Sequence, residues 1–110
     1  MIVPDFTSAR VDAAKILDYL LSPSHPGGQS KARFFFQTGF SREAWEMMAD
    51  ALRQHATSNP VVNKVNSPFG VKYTIDGPIQ SPSGSDPLIR TVWIVEHANP
   101  VPRLITAHPL

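Results

Sequence analysis

The feature that most constrains this chain is a change of period at Asn59-Pro60. Before that point apolar residues recur at helical spacing. Ala13, Ile16, Leu17, Leu20 and Leu21 share one face, and Trp45, Met48, Ala49, Leu52 and Ala56 share another. After it they alternate. Val71, Tyr73 and Ile75 lie on one side of a strand, with Lys72, Thr74 and Asp76 on the other. Helices followed by hairpin-linked strands imply an α+β fold, with helices packed on one face of an antiparallel sheet. The opposite face is then open to polar residues.

The boundaries follow from local signals. Met1 to Arg10 reads as an extended lead-in, with Ile2, Val3 and Phe6 turned toward the core. Asp12 is the expected N-cap of a helix to about Leu21, ended by Ser22-Pro23. A second, short helix starts near Gly28 to Ser30 and runs to about Gln37. Ala32, Phe35 and Phe36 pack inward from it, and Gly39 is its C-cap. Ser41 caps a third helix, Arg42 to about Ala56, with Glu43 placed where the helix dipole favours a carboxylate. Strands are expected at Val61 to Asn66, Val71 to Asp76, Leu88 to Glu96 and Arg103 to His108, the third being apolar enough to be central. Leu104, Thr106 and His108 fall on one side of the last strand, and Ser81 to Pro87 reads as flexible. The expectation is a single domain over residues 1–110, three N-terminal helices followed by a four-stranded antiparallel sheet.

Composition narrows the function. The absence of Cys removes disulfides and thiolate metal sites. A net charge of +1 excludes the strong basic field of a general nucleic-acid binder, but not an enzyme that uses a few local cations. No basic region followed by an apolar run stands at the N-terminus, and no apolar run approaches the roughly 20 residues that cross a bilayer. A cytoplasmic protein with no membrane partner is expected. No metal-ligand spacing, Walker loop or nucleophile elbow is present, so neither metal nor cofactor is expected.

The chemistry-bearing stretch is Ser24 to Phe36, which places His25, Lys31 and Arg33 within nine residues behind a Pro-Gly-Gly loop. A helix start there offers N–H groups to an anion, the cations reinforce it, and a titratable His stands beside them. The same pattern also reads as a Pro-Gly turn with a surface His and solvated cations. Arg90, in the middle of an apolar strand, faces solvent, pairs with Asp76 or Glu96, or lines a site. His55 lies at a helix end where its charge suits the dipole, and His97 sits in a strand-end turn. Together His25, Lys31, Lys72, Arg90, Thr106 and His108 have the types that metal-free RNA cleavage needs: a base for the 2′-OH, an acid for the leaving oxygen, and cations for the phosphorane.

Lys15 to Leu21, His25-Pro26-x-Gly28-x-x-Lys31-Ala32-Arg33-Phe34-Phe35 and Gly39-Phe40 resemble an uncharacterised family of small bacterial domains, often toxin-associated. So do Pro68-x-Gly70-x-Lys72-Tyr73, Gly77-Pro78, Arg90 to Ile94 and Pro102 to Pro109. The helices-then-sheet order is in turn similar to metal-independent RNase toxins of the barnase, EndoU, colicin and RelE type. The family tends to carry Tyr where His108 stands, which points away from His108 as a catalytic group.

The resemblance implies a metal-independent endoribonuclease of a toxin–antitoxin or toxin–immunity system, with RNA as substrate and a small antitoxin or immunity protein as partner. The candidate catalytic residues are His25, Lys31, Arg90 and Thr106, and the candidate substrate-binding residues are Gly28, Arg33, Lys72 and Arg103. His25 would be general acid or base, Lys31 and Arg90 would hold phosphate, and Thr106 and Lys72 would assist. The alternative is a non-catalytic binding module, one half of a two-protein complex.

Overall fold

At Asn59-Pro60 helix gives way to sheet. In the computed structural model, which describes residues 4–27 and 29–110, the chain runs through α1 (Ala13–Lys15), a π-helical turn (Ile16–Leu20), α2 (Gln29–Gln37) and α3 (Trp45–Ser58). The strands β1 (Val61–Ser67), β2 (Gly70–Pro78), β3 (Leu88–Glu96) and β4 (Asn99–Pro109) follow. They form one sheet in the order β1-β2-β3-β4, every neighbouring pair antiparallel.

The expectation of three regular helices ahead of the sheet needs correction. The first is a three-residue α turn that widens at once into a five-residue π turn. Leu21 N–H closes that turn on Ile16 O at 2.7 Å. Ile16, Leu20 and Leu21 are all fully buried at 0% exposure. Asp12 makes no side-chain cap; its carboxylate pairs with Arg10 at 3.1 Å instead. The third helix begins at Trp45 rather than Arg42. Ser41 Oγ accepts from Ala44 N–H at 3.2 Å, so the hydroxyl closes a turn ahead of the helix. Arg42 is drawn away to the carbonyls of Leu17 and Leu21 at the end of the π turn.

One face of the sheet makes the core. Tyr73, Ile75, Ile89, Thr91, Trp93, Leu104 and Ala107 are buried there. Met48, Ala49, Leu52 and Ala56 of α3, and Ala32 and Phe35 of α2, are buried too. Each large apolar side chain so buried contributes about 1.5–3 kcal/mol. Phe36, expected inside, is 38% exposed. Phe6 of the lead-in packs edge-on against Tyr73 and Trp93; Ile2 and Val3 lie outside the described residues. Arg10 bridges β4 in parallel, its N–H on Pro102 O and its carbonyl on Leu104 N–H, and so covers part of an edge strand.

Strict alternation fails in β4. Thr106 pairs with Val92 and Leu104 with Trp93, leaving Ile105 as the extra residue of a bulge. Leu104 therefore sits in the core beside Trp93, while Thr106 and His108 lie on the outer face with Val92 and Arg90. The last strand, expected from Arg103, begins earlier: Glu96 pairs with Asn99, so Asn99 and Pro100 open β4. Ser81 to Pro87, expected to be flexible, carries bonds between Ser81 and Asp86 and from Ser83 N–H to Thr38 O. Among the described residues no helix is long and apolar enough to cross a membrane.

Candidate functional site

The π turn carries Tyr19 out of the core, half-buried, at the point where the N-terminal segment meets β4. Its hydroxyl lies 3.4 Å from Thr106 Oγ1. The His25 ring stands edge-on to it at 5.1 Å between centroids. Lys31 Nζ and Lys15 Nζ lie 5.2 and 5.4 Å from the ring centre. Four segments thus meet on one phenol. Lys15 and Tyr19 are four positions apart and face each other by helical spacing. The bulge in β4 turns the Thr106 hydroxyl to the outer face.

The loop before α2 is locked from within. Gly27 N–H donates to His25 Nδ1 at 3.0 Å, and Lys31 Nζ donates to Gly27 O at 3.1 Å. A Cβ at Gly27 would stand 3.3 Å from His25 Cε1, so glycine permits this close approach. Gln29 N–H bonds His25 O. The Gly27 and Gln29 amides, expected to serve an anion, are therefore already paired. In neutral His25 an accepting Nδ1 puts the proton on Nε2, which is then a donor.

The hydroxyl of Thr106 holds the Tyr19 phenol below its ordinary value, and the Lys31 and Lys15 charges act the same way. Partial burial pulls in the opposite direction. A hydroxyl beside its oxygen and two ammonium groups against its ring thus shift the phenol toward easier ionisation.

Of the sequence-derived candidates, His25, Lys31 and Thr106 come together here. Arg90 does not touch the cluster: it makes a bidentate pair with Asp76, Nε to Oδ1 at 2.7 Å and Nη2 to Oδ2 at 2.8 Å. That pair holds the Asp76 carboxyl below its usual range. Arg90 is nonetheless a diagonal neighbour of Thr106, because the rows Asp76–Arg90–His108 and Thr74–Val92–Thr106 are adjacent on the outer face. Lys72 and Arg103 flank Ile94 one row further on, Arg103 bonded to Glu96 at 3.0 Å. Arg33 lines a separate cavity of about 430 Å³ with Gln29, Phe36 and Gln37. Gly28 lies outside the described residues. Tyr19 had no role in the sequence reading. Its signal was an aromatic four positions after Lys15, at the border between the aliphatic face and the charged one.

His55 is not a charged helix-end residue. It is 2% exposed, and its Nε2–H donates to Gly77 O at 3.2 Å while Nδ1 faces the Thr91 hydroxyl at 3.2 Å. Trp93 Nε1 donates to that same hydroxyl at 2.8 Å. Burial pushes the imidazole below its ordinary value and keeps it neutral. This network belongs to the core. Among the described residues, no group of three or more His, Asp or Glu is placed to hold a metal ion.

Fold and site define a small helices-then-sheet domain whose polar sheet face adjoins a Tyr-His-Lys-Thr cluster. The chain belongs to the family described as a domain of unknown function (DUF6883), which matches residues 2–110. It is similar in structure to a chain of a contact-dependent growth inhibition toxin–immunity protein complex from Klebsiella pneumoniae 342, with a TM-score of 0.73. The match covers 90% of this chain and 97% of that one at 22% identity, so it speaks for a shared fold. No curated protein sequence matches the chain.

Proposed function

We propose that the protein is a metal-independent endoribonuclease acting in a toxin–immunity system. The observation that carries this reading is the meeting of His25, Lys31 and Thr106, from three separate segments, around Tyr19. The cluster combines what in-line cleavage by a 2′-OH requires: proton-transfer groups and positive charge in one place. His25 Nε2–H and Lys31 serve the phosphoryl oxygens. Arg90 uses its Nε and Nη2 on Asp76 and keeps Nη1 for a neighbouring phosphate of the chain. Lys72 and Arg103 extend that track across the outer face. The shared fold with a chain of a toxin–immunity complex supports the biological setting, and the partner would be a small immunity protein covering the same face.

A second reading, a non-catalytic module of a two-protein complex, is favoured by the two ion pairs that neutralise Arg90 and Arg103 on that face. RNA incubated with the purified protein in EDTA separates the two, beside a His25→Ala, Lys31→Ala double variant. Cleavage by the wild type alone supports the nuclease. Intact RNA in both, from folded protein, supports the binding module.

A further inference from the structure

His25 was the evident acid–base group, but its surroundings give it another task. Its Nδ1 is taken by Gly27 N–H, so the neutral ring presents an N–H and not a lone pair to anything outside the loop. The other titratable group in the cluster is the phenol. Its oxygen lies 3.4 Å from Thr106 Oγ1, a contact in which either hydroxyl can donate, and its ring has Lys31 and Lys15 on it.

On the nuclease reading above, we propose that the Tyr19 phenolate takes the 2′-OH proton in RNA cleavage. The Thr106 hydroxyl donates to the phenolate before the reaction. The 2′-OH then passes its proton to Tyr19 Oη, and the 2′-oxygen pair forms the new bond to phosphorus. The phosphorus–5′-oxygen bond breaks with its electrons on the 5′-oxygen, which takes a proton from solvent. The products are a 2′,3′-cyclic phosphate and a 5′-hydroxyl, and Tyr19 returns its proton to water. His25 Nε2–H and Lys31 hold the phosphoryl oxygens throughout. The downward shift of the phenol is in the direction that suits a base, which works best when its ionisation approaches the working pH. The groups that bear on its ionisation are Lys15 on its own helical segment, His25 in the loop, Lys31 on α2 and Thr106 on β4.

The test is cleavage of a defined oligoribonucleotide in EDTA across pH by the wild type, Tyr19→Phe and Thr106→Val. Alongside it, phenolate absorbance is titrated in the wild type and in Tyr19→Phe, whose difference reports Tyr19 alone. The expected result is a wild-type rate that rises with pH through the Tyr19 titration, and a loss of roughly 100-fold or more in Tyr19→Phe. Thr106→Val should move both the rate profile and the absorbance titration upward together. An active wild type with an equally active, folded Tyr19→Phe overturns the assignment and leaves the nuclease reading standing. A wild type inert toward RNA overturns both. Should Tyr19→Phe fail to fold, Thr106→Val decides, since an unshifted rate profile removes the phenol from the chemistry.

Discussion

The hydroxyls of Tyr19 and Thr106 lie 3.4 Å apart although 87 positions separate them in the chain. One stands on a π turn at the start of the domain and the other beside a bulge in the last strand. Neither irregularity is visible in a regular helix or strand pattern, and the contact depends on both.

Arg42 is the buttress of the first of them. Its guanidinium donates to Leu17 O and to Leu21 O, the latter at 3.0 Å, and so caps the end of the turn that carries Tyr19. Arg42→Met is expected to lower stability by about 1 kcal/mol and to loosen the Tyr19 ring. Urea unfolding and the intensity of Tyr19 side-chain NMR signals measure the two effects. A variant with unchanged stability and an unchanged ring environment would show that the turn holds without Arg42.

If the protein is the proposed nuclease, Arg90 is expected to bind rather than to react, because Asp76 orients it beside the cluster and not within it. Steady-state cleavage by Arg90→Gln should show KM raised several-fold with kcat within about twofold of wild type. A fall in kcat at saturating RNA would place the guanidinium on the reacting phosphate instead.

His55 makes folding sensitive to acid. Its folded-state value lies below the unfolded value of 6.5, chiefly through burial, although the Gly77 and Ile89 carbonyls and the Asp76 charge oppose the shift. The unfolded chain therefore binds the proton first as pH falls. Stability is full above about pH 6.5 and declines below it, with a slope of at most about 1.4 kcal/mol per pH unit from this group. Denaturant midpoints between pH 8 and 5 measure the decline, which His55→Gln should flatten. A wild-type curve already flat over that range would mean that the imidazole protonates inside the core.

Asp76 adds a second, lower window. Arg90 holds its carboxyl below the usual 3.8, so its contribution is present above that pH and is lost as the pH falls further. In Asp76→Asn the part of the acid decline below about pH 4 should be shallower than in wild type. Thermal unfolding between pH 5 and 2.5 reads the difference, and superimposable curves would show that the pair adds nothing to folding.

Much of the sheet could be read directly from residue order. The change of period at Asn59-Pro60 marks the boundary of helix and strand, because burial on one face imposes a spacing of 3.6 in one and 2 in the other. Tyr73 and Ile75, and then Ile89, Thr91 and Trp93, fall on the buried face by that rule. Gly39, expected as a cap, does take a positive φ of 101°. Only the tertiary structure decided the rest. The segment expected as a regular helix to about Leu21 is instead a short α turn and a π turn, with Ile16, Leu20 and Leu21 all buried. The bulge at Ile105 reverses the facing of Thr106 relative to Leu104, since one inserted residue inverts a period of two. His55 turned inward because Thr91 and Gly77 offered it partners from strands that the helix meets only on folding. Residue order thus determined which segments are helix and which are strand. Whether His25, Lys31 and Thr106 would meet, and that Tyr19 would stand at their centre, depended on contacts between segments, which spacing along one chain does not encode.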